Sequence, residues 1–214
     1  HYTSVLFDLD GTLLDTLGDL TAAMNRTLTR HGLPERTHRQ VRAALGNGAR
    51  RLMELSVPAG TDGALFETLL AEYNADYAAH CRIETAPYPG VDALLRQLHA
   101  QGRKLAIVSN KPDEAVRALR TEFFADTVPI AVGEKQGIRR KPAPDTLLAA
   151  MAQLGAERTN TVYVGDSEVD IATARAAGLP CISVLWGFRD RSLLESAGAQ
   201  QFAADVDELA RLLG

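Results

Sequence analysis

Asp8 and Asp10 stand two residues apart in Phe7-Asp8-Leu9-Asp10-Gly11-Thr12, just past the apolar run Ser4-Val5-Leu6-Phe7. In extended chain alternate side chains share a face, so both carboxylates can enter one crevice. Two like charges that close call for a cation or a shared proton. The spacing therefore points to a metal site, an acid/base pair or both, with a solvated Asp-Gly turn as the structural alternative. Other segments carry matching chemistry: Ser109-Asn110-Lys111, Lys141-Pro142, and Gly165-Asp166-Ser167 with Asp170 one helical turn further on. Carboxylates from separate segments make a hard oxygen site suited to Mg2+. A lysine and a hydroxyl beside it suit a phosphoryl group, whose transfer needs charge neutralised on its oxygens. One carboxylate can attack phosphorus, and a second can protonate the leaving oxygen and then deprotonate water. Each residue also has an ordinary role open to it. Ser109 or Asp166 could cap a helix, Asp170 could be a first-turn acid, and Lys141 a surface charge in Arg139-Arg140-Lys141.

The elements that must position these residues follow from periodicity. Short β-rich apolar runs fall at 4–9, 104–109, 129–132, 161–165 and 181–185. Helical spacing separates the later ones: Val91, Leu94, Leu95 and Leu98; Leu147, Leu148, Met151 and Leu154; Asp170 to Ala177, stopped by Gly178 and Pro180; and Val206 to Leu213. That alternation predicts an α/β fold, a Rossmann-like parallel sheet with helices on both faces. Ligands in such sheets sit at the carboxyl ends of the strands, and the candidate residues occur at those ends.

Residues 16–85 break the rhythm with no strand pattern. Leu17, Leu20, Met24 and Leu28 mark one helix. Val41–Leu55 marks a second, broken near Gly46-Asn47-Gly48, and residues 62–80 a third. The expectation is a helical domain (16–85) inserted into a core built from 1–15 and 86–214. In the inserted part, Asn47 could approach a small ligand, and Arg50 or Arg51 could pair with its carboxylate. A plain helix break with solvated arginines is the alternative. Lys111, beside Ser109, has the same two readings.

The chain of 214 residues carries a formal net charge of -4, which argues against broad binding to nucleic acid or anionic lipid. No apolar stretch approaches the roughly 18 residues that span a bilayer. The first residues already follow a strand pattern rather than that of a signal peptide, and Cys81 and Cys181 match no metal or redox spacing; the expected location is cytoplasmic. Neither a P-loop nor a strand-following GxGxxG occurs, which sets nucleotide-hydrolysing and dinucleotide-binding sites aside.

On these residues the whole chain resembles the haloacid dehalogenase-like superfamily, in its phosphatase branch with a helical cap inserted after the first motif. The four motifs are Asp8-Leu9-Asp10-Gly11-Thr12, Ser109-Asn110, Lys141-Pro142 and Gly165-Asp166 to Asp170, in order and in strand context. The resemblance implies Asp8 as the phosphorylated nucleophile and Asp10 as general acid/base. It implies that Thr12 and Ser109 hold phosphate oxygens with the Asn110 backbone, and that Lys141 balances their charge. Mg2+ would be bound by the Asp8 carboxylate, the Asp10 backbone carbonyl and Asp166, with Asp170 supporting the metal or orienting Lys141. Dehalogenases of the superfamily lack the second acid, and hexose-phosphate mutases usually carry Val where Thr12 stands, so a phosphatase is favoured over either. Leu45-Gly46-Asn47-Gly48-Ala49, Tyr88-Pro89-Gly90-Val91 and Trp186-Gly187-Phe188 add a likeness to phosphoglycolate phosphatases. The implied partner is a small phosphorylated metabolite, acted on by a monomer or homodimer. Pyrophosphate, nucleoside monophosphates and sugar phosphates stay open as substrates, and a sugar-phosphate mutase as a less favoured activity.

Overall fold

Val5, Leu6 and Phe7 are inaccessible to solvent, and the strand they form lies inside a six-stranded sheet. The computed structural model describes all 214 residues, His1–Gly214. In chain order the first half contains β1 (Ser4–Phe7), β2 (Leu14–Asp15), α1 (Leu17–Arg30), α2 (His38–Ala44), α3 (Gly48–Ser56), α4 (Gly63–His80) and β3 (Ala86–Pro87). There follow α5 (Val91–Ala100), β4 (Lys104–Pro112), α6 (Asp113–Phe124), β5 (Ile130–Glu134) and α7 (Asp145–Leu154). The last part is β6 (Thr161–Gly165), α8 (Glu168–Ala177), β7 (Cys181–Val184), α9 (Arg191–Ser196), β8 (Gln201–Ala203) and α10 (Val206–Leu213).

The sheet runs β5-β4-β1-β6-β7-β8 with every pairing parallel. The chain lays strands outward on one side of β1, then returns to build the other side from β6. Strand order therefore reverses at β1, where an open α/β sheet forms its ligand crevice. Register sets Phe7 beside Ile107 and Val164, so Asp8, Ser109 and Asp166 emerge close to one level. Beneath them Leu6, Ala106, Val108, Leu147 and Tyr163 are packed into a common core with α7 and α8.

Several boundaries differ from the sequence expectation. The first strand stops at Phe7 because the Leu9 carbonyl accepts from the amides of Thr12, Leu13 and Leu14, turning the chain back. The second extends to Pro112, with a register shift after Val108 that puts Ser109, Asn110 and Lys111 in irregular backbone. The edge strand β8 was not foreseen, since three residues give too short a pattern to detect.

The chain divides into two compact units, residues 1–15 with 87–214, and residues 16–86. It leaves the first through β2 and re-enters through β3, where the Tyr88 amide donates to the Leu13 carbonyl at 3.0 Å. The second unit is helical. Its 41–55 segment is two helices, and α2 begins earlier than expected because Thr37 and Gln40 close a capping box. Two buried carboxylates organise this unit. Asp19 on α1 accepts from the amides of Ile83, Glu84 and Thr85 and from the Thr85 hydroxyl, at 2.8 to 3.0 Å. Asp76 on α4 receives Arg26 and Arg30 from α1 at 2.5 and 2.9 Å. Both cysteines are free, and no helix is long and apolar enough to cross a membrane.

Candidate active site

Asp8 continues the line of β1, its amide donating to Val164 of the neighbouring strand at 2.9 Å. Its carboxylate is thereby held at the switch point. One oxygen, Oδ1, accepts from Lys141 Nζ at 2.8 Å, while Oδ2 carries no hydrogen bond. Burial raises the Asp8 carboxyl well above the usual carboxylate range; Asp170 adds to this and Lys141 opposes it.

Lys141 makes three bonds: to Asp8, to Asp170 Oδ1 at 2.7 Å and to the Tyr163 hydroxyl at 2.9 Å. An ammonium has three protons, and all are used. Burial works against its charge, but Asp170 and Asp8 outweigh that and hold the lysine protonated. Asp170 sits in the reverse balance: burial would raise it, and Lys141 and its hydrogen bonds keep it ionised. The lysine loop is fixed from β4, where the Asn110 side chain accepts from the Lys141 amide at 2.7 Å and donates to its carbonyl at 2.9 Å. The Lys141–Pro142 peptide is cis.

Asp170 serves two readings at once. It is the third residue of α8 in a capping box with Ser167, and its Oδ2 accepts from that hydroxyl at 2.6 Å. Its Oδ1 meanwhile holds Lys141 and Tyr163. Asp166 is not the cap; Ser167 is. Nor does Ser109 cap a helix, since α6 begins after Pro112.

Asp166 accepts from the Phe188 amide at 2.7 Å and from the Thr12 hydroxyl at 3.3 Å. Burial first, then the Asp170 charge, pushes it up to about 7, against the pull of the Phe188 amide. Two glycines make its room. A Cβ at Gly11, whose φ is +82°, would stand 2.3 Å from an Asp166 oxygen; one at Gly187 would stand 2.3 Å from its Cβ. The Gly11 turn that competed with an active-site reading is thus real, and it lets Asp166 approach the first strand.

Carboxylate oxygens of Asp8, Asp166 and Asp170 lie within 4.8 Å of one another. Three buried hard donors, two of them raised by burial first and then by their neighbours' charge, are a set that a divalent cation would relieve. Asp170 is already engaged on both oxygens, which leaves Asp8 and Asp166 as the better-disposed pair.

Asp10 is the more open acid. Lys111 Nζ stands 3.1 Å from its Oδ1, and the Ser109 hydroxyl 3.5 Å from its Oδ2; the Lys111 side chain is 6% exposed and that of Asp10 19%. In the helical unit Arg50 makes a two-pronged pair with Glu67 at 2.8 and 3.0 Å and lies over the Phe66 ring. Arg51 pairs with Glu54, and Asn47 starts α3 without a side-chain capping bond. The core candidates Asp8, Asp10, Ser109, Asn110, Lys111, Lys141, Asp166 and Asp170 do converge. Tyr163 was not foreseen, and Trp186-Gly187 was singled out only for a family likeness, with no contact assigned to it; the Trp186 indole donates to the Thr12 carbonyl at 3.0 Å. Tyr163 had a signal, since a phenol in a fully buried strand needs a partner for its hydroxyl.

Known proteins resemble this chain in sequence and in fold. A phosphoglycolate phosphatase of Xanthomonas campestris pv. campestris is 37% identical over 187 residues, covering 87% of this chain and 84% of the relative. One from Rhodospirillum rubrum is 36% identical, covering 99% of this chain and 90% of the relative. The crystal structure of a protein provisionally assigned as phosphoglycolate phosphatase, from Lactobacillus delbrueckii subsp. bulgaricus, superposes with a TM-score of 0.93 at 36% identity, covering 99% of this chain and 98% of that one. The model of the haloacid dehalogenase-like hydrolase family matches residues 5–184, and the chain belongs to that family.

Proposed function

We propose that this protein is a Mg2+-dependent phosphatase of small phosphomonoesters, with 2-phosphoglycolate the favoured substrate. One observation carries the reading: the buried Asp8 carboxylate is held on one oxygen by Lys141 and carries no hydrogen bond on the other. That is the posture of a nucleophile. The names of the relatives support the choice of phosphoglycolate.

Asp8 Oδ2 forms a bond to phosphorus in line with the leaving oxygen, and the phosphorus–oxygen ester bond breaks. Asp10 gives its proton to the departing alkoxide. Asp10 then takes a proton from water as the water oxygen attacks phosphorus, the Asp8–phosphorus bond breaks, and orthophosphate leaves. Ser109 and Thr12, with the Asn110 backbone, hold phosphoryl oxygens. Lys141, fixed by Asp170, Tyr163 and the Asn110 clamp, stays charged through both steps and offsets the pentavalent anion. The Asp8 carboxylate, the Asp10 carbonyl and Asp166 would hold Mg2+, which supplies a Lewis acid for the phosphoryl oxygens and neutralises charge between two approaching anions. A cytoplasmic enzyme acting as monomer or homodimer fits this reading.

Phosphate release tests it, measured with and without Mg2+ on phosphoglycolate, pyrophosphate, nucleoside monophosphates and sugar phosphates. Wild type should release phosphate only with the metal, and Asp8→Asn should lose at least about 10³-fold. Retained turnover in Asp8→Asn would overturn the covalent route. A sugar-phosphate isomer in place of phosphate would make it a mutase.

A further inference from the structure

Two lysines are buried in the crevice, and in the reading above they stand by the two carboxylates that act on opposite sides of phosphorus. Lys141 is bonded to Asp8, on the attacking side. Lys111 is paired with Asp10 at 3.1 Å, on the side where the leaving oxygen must be protonated. Its backbone also belongs to the site, since its amide donates to the Ser109 hydroxyl at 3.2 Å in the irregular end of β4.

We infer that Lys111 selects substrates whose leaving alcohol carries a negative charge close to the ester oxygen. The inference rests on the phosphatase reading above and deepens it. A reacting Asp10 lies within about 3 Å of the leaving oxygen. The Lys111 ammonium therefore stands within about 6 Å of that oxygen, the sum of the two contacts. A carboxylate one methylene from the ester oxygen reaches that far, and a charge-assisted bond to it is the strong kind. Holding Asp10 alone would need only a neutral donor, while burying an ammonium carries a large desolvation cost. Once substrate enters, the carboxylate shares or takes over the ammonium and leaves Asp10 next to the oxygen it must protonate. A neutral leaving group meets an ammonium still engaged with Asp10, and a cationic one meets repulsion.

A series of three esters of nearly equal size isolates the charge: 2-phosphoglycolate, ethyl phosphate and phosphoethanolamine, assayed on the Mg2+-loaded wild-type protein. We expect kcat/KM to fall in that order, by about ten- to a hundredfold from the first to the second. In Lys111→Met both rates fall because Asp10 loses one of its partners, but phosphoglycolate falls at least about tenfold further, mostly in KM, and Lys111→Arg restores the preference. Wild type with equal kcat/KM on all three esters overturns the proposal. So does a Lys111→Met loss that is the same for charged and neutral esters, which would make Lys111 a tether for Asp10 alone. No phosphate from any ester would instead overturn the phosphatase reading, and is distinguishable because wild type then matches Asp8→Asn.

Discussion

Tyr163 shows how a single phenol earns its place in a charged site. Its hydroxyl donates to Asp170 and accepts from Lys141, and burial followed by the charges of Asp170 and Asp8 raises it well above the ordinary phenol range. It therefore stays a donor. Tyr163→Phe should lower stability by about 1–3 kcal/mol in urea titration and reduce kcat more than it changes KM, since Lys141 loses one of three partners. Gly187→Ala tests the other side of the crevice. The added methyl would have to displace Asp166, so the Mg2+ concentration for half-maximal activity should rise by about tenfold or more, while the far-ultraviolet circular dichroism keeps its shape. Asp8, Asp10 and Asp166 were legible in the sequence because carboxylates at strand ends have few structural uses in common, and Lys141 because a lysine in the loop after a later strand joins them. Tyr163 and Gly187 were harder to read, because a phenol and a hydrogen do their work only through neighbours that the fold brings up.

At the scale of elements, the caps and clamps decide which loops hold their shape. Ser167 caps α8 and at the same time hydrogen-bonds Asp170, so Ser167→Ala should cost about 1–2 kcal/mol and loosen the hold on Lys141. Asp19 is the stronger case. It satisfies three consecutive backbone amides of the segment that returns the chain toward the core, and Asp19→Ala leaves them unpaired. Hydrogen exchange at Ile83 to Thr85 should accelerate, with a loss of about 2–3 kcal/mol in the helical unit. The parallel sheet and most helices could be read from periodicity, because buried strands here are continuous apolar runs and helices keep one wet face. The irregular end of β4 could not, since a register shift changes neighbours without changing pattern.

For the whole molecule, charge inside the helical unit links its stability to acid. Burial pushes Asp76 upward, yet Arg26 and Arg30, with help from His80, outweigh this and hold its carboxyl below the ordinary value. A depressed carboxylate contributes stability above its unfolded pKa of about 3.9, and that contribution is lost as pH falls through the folded value. Thermal melts between pH 5 and pH 2 should therefore show a steeper drop for wild type than for Asp76→Asn. Equal slopes would mean the cluster carries no net linkage.

The hydrogen bond from Tyr88 to Leu13 has a modular consequence. It brings the exit and re-entry points of the core to within one bond of each other, so to the core the whole helical segment is a loop whose ends are already closed. Loop-closure entropy grows only with the logarithm of length, so lengthening, shortening or exchanging that cassette should cost the sheet little. Replacing residues 16–86 by a short glycine-rich bridge should leave a core that still melts cooperatively.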